Sequence, residues 1–216
     1  MSAETIYTSF YLTYAFLMTT AAITFIEALR TNDMQVRTIM NLETCISFVA
    51  TFFYSLFLLR IKDNDYAQIN LLRYADWCIT TPLMILVLIT SILHVSFPGG
   101  SINVFFYFLL VCLNYGMLGF GYLGDTHQLD KTVANALGFG CYSMLFGLIY
   151  FKYVRPKYNF SNYIIFFAYV LLWGMYGLVY FLDEKSKNVA YNVLDLISKA
   201  LIGILLWAFY TRVLSI

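Results

Sequence analysis

Seven apolar stretches, each near the roughly 20 residues a helix needs to cross a bilayer, govern what this sequence can fold into. They cover residues 6–29, 36–59, 67–93, 102–123, 132–153, 160–182 and 188–213, with short polar breaks between them. Lipid offers the backbone no hydrogen-bond partner, so each stretch is expected to satisfy its own backbone as a helix. The breakers Pro98-Gly99-Gly100 and Pro156 fall in the breaks. The expectation is an all-α bundle of seven transmembrane helices, one domain over residues 1–216.

Composition supports a membrane setting. Only 12% of residues are charged and 61% are hydrophobic, with a mean hydropathy of +0.73. A soluble domain carries roughly 25% charged residues. The net charge of +1 gives no bias towards nucleic acid, and the lipid bilayer is the expected partner. Cys45, Cys78, Cys112 and Cys141 lie in apolar stretches with no CxxC spacing. They are expected to be free thiols in helix packing, and no metal centre is expected. No basic segment or cleavage site precedes the first stretch, which is expected to act as its own insertion signal.

Seven spans put the termini on opposite sides. One side gathers Arg30, Arg37, Lys152, Arg155, Lys157 and Arg212 with Asp33. The other gathers Arg60, Lys62, Lys131, Lys185 and Lys187 among a larger set of acids. The cluster Lys152, Arg155 and Lys157 places the C-terminus in the cytoplasm and the N-terminus outside, in a multi-pass membrane protein.

Four charges break the apolar pattern. Arg73 and Asp76 share a face of the third stretch at i,i+3, and Asp195 and Lys199 share a face of the seventh at i,i+4. A charge at this depth faces the bundle interior and marks function more often than packing. Lys199 is too far from either end of its stretch to reach water. Desolvation there disfavours the ammonium, and a neutral amine is a nucleophile towards an aldehyde. A cationic imine would need carboxylates beside it, and Asp76 and Asp195 are the candidates. The plainer readings are an Arg73–Asp76 pair or an Asp195–Lys199 pair that glues helices. Neither alone explains both carboxylates. Pro82 also frees a backbone carbonyl one turn back, which a neighbour must satisfy.

The run RYADWCITTP (residues 73–82) together with DLISK (195–199) resembles the microbial rhodopsins, and the likeness extends over the whole chain. The resemblance implies a bundle enclosing all-trans retinal, bound covalently to Lys199 as a Schiff base. It implies Asp76 as main counterion and proton acceptor, Asp195 as second counterion, Arg73 on their extracellular side, and Thr80 hydrogen-bonded to the acceptor. Tyr74, Trp77, Thr81, Trp173, Tyr176 and Tyr180 would wall the chromophore. Met117 and Gly121 would cover its ring end and Phe139 would close it, although an aromatic or small-residue stripe alone is equally a packing pattern. Gly177 stands where bacteriorhodopsin has proline, and Tyr180 where it has tryptophan. Met84 occupies a colour-tuning position, and an apolar residue there implies green absorption.

The same resemblance frames the activity. Proton pumps of this family commonly carry a donor carboxylate on the third helix where this chain has Val87. Glu43, in the second stretch with Ser47 and Tyr54 on its face, is the substitute, either as a buried donor or as a helix-end residue. Asp76 argues against a chloride pump. The set Asp76, Thr80, Val87, without Asn or Gln, argues against a sodium pump. The compact loops and the helix-two glutamate resemble the small rhodopsins of large algal viruses, which include proton transporters and light-gated cation channels. The expectation is a retinal photoreceptor that carries out slow or weak light-driven proton transport. A light-gated cation channel is the alternative, with Thr13, Thr20, Thr24, Glu27 and Asn192 as its lining or as interhelical hydrogen bonds. A photosensor acting through a partner is a third reading. No soluble effector domain follows the seventh stretch, so no enzyme activity is expected, and the family implies a homo-oligomer, trimer or pentamer.

Overall fold

The computed structural model describes residues 3–63 and 65–213. It contains seven helices long and apolar enough to cross a membrane. They are α1 (Ala3–Arg30), α2 (Met34–Arg60), α3 (Tyr66–Ser96), α4 (Val104–Asp125), α5 (Lys131–Ile149), α6 (Phe160–Val179) and α7 (Glu184–Tyr210). No strand occurs among the described residues. The α1–α2, α2–α3 and α4–α5 neighbours pack along their lengths, and α7 closes the ring against α1, α3 and α6.

Each helix after the first begins at an Asp or Asn whose side chain accepts from backbone amides of the first turn. The caps are Asp33, Asp65, Asn103, Asp130, Asn159 and Asp183. These residues occupy donors that a helix start leaves open, so the polar breaks set the helix starts. Asp183 corrects one boundary. The polar run 183–187 reads as loop, yet Asp183 accepts from the Ser186 amide at 3.1 Å and α7 starts at Glu184. Lys187 therefore lies on the helix, and its side chain is fully buried. It drops out of the loop charge on the N-terminal side, which sharpens the charge asymmetry. At the other boundary α6 ends at Val179, short of the expected 182.

The bundle is apolar outside, and its largely apolar interior holds a set of buried polar side chains. Phe105 is 88% exposed and Leu171 69%, faces suited to lipid tails. Arg73, Asp76, Asn114, Asn188, Asn192 and Asp195 are fully buried. Buried polar groups at helix contacts add interhelical hydrogen bonds to the packing that holds a membrane bundle together, where the hydrophobic effect does not act. The cysteines differ from expectation: Cys45, Cys78 and Cys112 are free but exposed on the outer face, not packed between helices.

Two π-helical turns interrupt the regular geometry. One, Tyr150–Val154, extends α5. The other, Leu196–Leu201, lies inside α7 and contains Lys199. A π turn widens the helix by one residue and recurs at functional sites.

Candidate functional site

The site forms where α3 and α7 face each other. On α3, Pro82 leaves the Cys78 carbonyl without its helical donor. The Tyr115 hydroxyl of α4 donates to it at 3.1 Å, and the Tyr107 hydroxyl donates to the Pro82 carbonyl at 3.0 Å. The helix therefore continues past the proline with α4 as its brace. On α7, the Thr20 hydroxyl of α1 donates to the Ala200 carbonyl in the π turn at 3.2 Å.

The four buried charges pair across the helices. Lys199 Nζ lies 2.6 Å from Asp76 Oδ2 and 3.4 Å from Asp195 Oδ1. Arg73 pairs with Asp195 Oδ2 at 3.2 Å, so its ion-pair partner is on α7. Asp195 also accepts from the Tyr176 hydroxyl at 2.7 Å and the Tyr54 hydroxyl at 2.9 Å. Asp76 Oδ1 finds no partner among the described residues. The two carboxylates expected beside Lys199 are both there.

Arg73 is anchored more fully than its sequence neighbours suggested. It donates to the Asn188 side chain at 3.2 Å and to the Asn192 side chain, and its guanidinium lies 4.9 Å from the Phe57 ring centroid. Tyr54, read from sequence as a neighbour of Glu43, instead serves Asp195 and Asn192. Thr80 requires a correction. Its hydroxyl donates to the Asp76 backbone carbonyl at 2.9 Å and not to the carboxylate. A helical threonine always has the i−4 carbonyl within reach.

Lys199 opens onto a cavity of about 770 Å³, counting its mouth, between α3, α4, α5, α6 and α7. Tyr74, Trp77, Thr81, Met84, Met117, Gly121, Phe139, Trp173, Tyr176 and Tyr180 all line it. Trp77 stands edge-on to Tyr176 and Tyr191, with centroids at 5.4 and 5.1 Å. Gly177 explains how Phe139 reaches the cavity: a Cβ at residue 177 would lie 2.5 Å from the Phe139 ring. Sequence reasoning missed the lining residues Leu118, Ala134, Asn135, Gly138, Tyr142, Tyr191 and Ser198. In a chain with 19 Tyr and 20 Phe, no spacing singles these out.

Glu43 is buried, at 2% exposure, in the half of the bundle nearer the C-terminus. It packs against α7 so closely that a Cβ on Gly203 would lie 2.9 Å from its Oε2. It is not a helix-end residue reaching outward. The polar stripe of α1 is spent on neighbours: Thr13 donates to the Asn192 carbonyl at 3.1 Å, and Thr24 bonds Thr44 at 2.9 Å.

The sequence profile of bacteriorhodopsin-like proteins matches residues 4–213. The crystal structure of viral rhodopsin OLPVRII is 46% identical, with a TM-score of 0.92 over 97% of this chain and 99% of that one. A green-light absorbing proteorhodopsin from Gamma-proteobacterium EBAC31A08 is 25% identical, covering 92% of this chain and 84% of that protein. The blue light-absorbing proteorhodopsin from Med12, at 22% identity and a TM-score of 0.79, shares the fold. Bacteriorhodopsin-like proteins bind retinal through a lysine Schiff base. The residues here fit such a group: a buried lysine between two carboxylates opens onto an aromatic-walled cavity. The ion-pair lattice, the cavity and these likenesses agree, and the chain belongs to the bacteriorhodopsin-like family of microbial rhodopsins.

Proposed function

We propose that Lys199 carries all-trans retinal and that the protein is a light-driven proton transporter, slow or weak in turnover. The N-terminus is extracellular and the C-terminus cytoplasmic in this reading, supported by the loop cations around Lys152, Arg155 and Lys157. The family's light-driven ion transport supports the general activity.

The observation that carries the proposal is the 2.6 Å contact between Lys199 Nζ and Asp76 Oδ2. It puts a proton acceptor within hydrogen-bond reach of the nitrogen that would hold the proton. Retinal held on Lys199 would supply the light absorption and isomerisation that drive the transfer.

The chain's own residues do the rest. Asp76 takes the proton, because one of its oxygens has no competing donor. Asp195 stays the fixed negative charge, since Arg73, Tyr54 and Tyr176 already donate to it. Arg73 holds that arrangement in place from the extracellular side through Asn188 and Asn192. On the cytoplasmic side Glu43 supplies the replacement proton in place of the missing carboxylate at Val87. Its burial against Gly203 shields it from bulk water, consistent with slow reloading. Met84 on the cavity wall supports green absorption. The same reading takes the assembly to be a trimer or pentamer.

Illumination of the protein in a voltage-clamped membrane tests the proposal. A steady outward current with no ionic gradient and no applied voltage is expected. A current that flows only down a cation gradient would show a channel instead.

A further inference from the structure

A lysine near the end of a membrane helix ordinarily uses its long stem to bring its ammonium to water. Lys187, in the first turn of α7, does not. Its side chain is fully buried, with Nζ 3.1 Å from Asp125 Oδ1 and 3.4 Å from Glu184 Oε1. Glu184 accepts at its other oxygen from the side chain of Asn70 on α3. The ammonium is offset by the carboxylates in contact with it, so its influence passes through what those contacts hold.

Two of the contacts lead to the wall of the Lys199 cavity. Asp125, the last residue of α4, accepts at its other oxygen from the Tyr74 hydroxyl of α3 at 2.8 Å. The Tyr74 ring lines the cavity and stands edge-on to Trp77, with centroids 5.3 Å apart. Lys187 also stands over the Tyr180 ring, 5.6 Å from its centroid, with Lys131 of α5 at 4.9 Å. Tyr180 lines the cavity as well, and its hydroxyl donates to the Gly121 carbonyl of α4 at 2.9 Å. Two glycines of α4 make room for these hydroxyls. A Cβ on Gly121 would lie 3.0 Å from the Tyr74 hydroxyl, and one on Gly124 would collide with that of Tyr180. Residues of α3, α4, α6 and α7 thus meet at one corner around Lys187, and two of them are cavity wall.

We propose that Lys187 is a positioning residue for the chromophore: through Asp125 and Tyr180 it fixes the tyrosines that wall the cavity on the side of the N-terminus. A satisfied buried polar network rigidifies the packing around it, and side chains at a site keep their rotamers when such contacts lock them. Without Lys187, Asp125 is a buried carboxylate that has lost its cation, and Tyr74 and Tyr180 lose their common anchor. A wall that yields accepts more than one shape of the polyene. The inference rests on retinal at Lys199 and is independent of what is transported. A clasp that merely tied α4 to α7 would affect stability and leave the bound chromophore as it was.

The test uses the full chain reconstituted with all-trans retinal and kept in the dark. The readouts are the position and width of the visible band, and the isomer composition of the retinal extracted afterwards. Lys187→Met is expected to shift and broaden the band and to raise the share of cis retinal. Asn70→Ala loosens the far side of the same cluster and spares both links to the wall, so its band and isomer ratio should match the wild type. An unchanged band and isomer ratio in Lys187→Met overturns the proposal. So does an equal change in Asn70→Ala, which would mark general loosening of the corner. If Lys187→Met forms no band, Tyr74→Phe decides: it keeps the ion pairs and cuts the hydroxyl link, and an unchanged band and isomer ratio there overturns the proposal. Wild-type protein that forms no visible band with retinal refutes the retinal reading itself, a result separable from any variant.

Discussion

Lys199 and Asp76 come from helices 123 residues apart, yet they are closer at 2.6 Å than Lys199 is to Asp195 on its own helix, at 3.4 Å. The nitrogen is thus assigned mainly to a carboxylate that reaches it across the bundle. Lys199→Ala removes the only attachment point this geometry provides. Added retinal should then give no visible band, whereas a full-height band in that variant would falsify the assignment.

The two carboxylates should respond unequally to neutralisation. Asp76→Asn removes the charge nearest Lys199, so absorption should move to longer wavelength and transport should cease. Asp195→Asn leaves Asp76 in place and should shift the band less. Spectra and photocurrents of both variants check the order, and equal shifts would mean that the pair acts as one delocalised charge.

Gly203 and Glu43 make a second close contact, and it is open to two tests. Glu43→Gln keeps the shape and deletes the proton. Recovery of the dark state after a flash should slow strongly and become dependent on bulk pH. Gly203→Ala would place a Cβ 2.7 Å from Thr20 Cγ2 and 2.9 Å from Glu43 Oε2. That overpacking should cost about 1–3 kcal/mol of stability and disturb the same recovery phase. Flash kinetics unchanged in both variants would remove Glu43 from the transport path.

The brace at Pro82 can be measured by a double-mutant cycle. Tyr115→Phe strips the donor from the Cys78 carbonyl and should cost about 0.5–1 kcal/mol, as membrane hydrogen bonds do. In a Pro82→Ala background the helix supplies its own donor, and the same change should cost little. Equal costs in both backgrounds would show that the tyrosine does not compensate for the proline.

Outside the membrane spans, the Asp183 cap has a pH signature. Hydrogen bonds from the Ser186 hydroxyl and amide hold its carboxyl below the usual range. A lowered folded-state value means that the cap's contribution is present above the unfolded pKa and disappears as pH falls through the lowered one. Hydrogen exchange at the Ser186 amide should therefore show protection at neutral pH that is lost only in strong acid. Loss of protection already near the ordinary aspartate value would contradict the capping geometry.

The helices and the four buried charges were legible because lipid leaves the sequence few choices. A long apolar run must be helical, and a charge inside it must find a partner. The parts that were not legible depend on neighbours. Lys187 looks like a loop cation until Asp125, 62 residues away, is seen beside it. Thr80 points at its own helix because that carbonyl is nearer than any carboxylate. Phe139 reaches the cavity only because residue 177 on the facing helix lacks a side chain. The threonines of α1 carry a polar stripe in either reading, and only their partners on α2 and α7 reveal interhelical bonding.

The wide turn at Leu196–Leu201 makes chain length in α7 a constraint in its own right. An ordinary helix turns about 100° per residue. Removing one residue from α7 outside this turn would rotate everything beyond it by about that angle, whereas the wide turn can lose its extra residue and close to a regular spiral. A loss outside the turn would swing Gly203 away from Glu43, and a loss inside it would keep both halves of α7 facing their present neighbours. Single-residue deletions elsewhere in α7 should therefore be far less tolerated by the fold than a deletion inside the turn. The register of the turn is inherited as a unit with the lysine it carries.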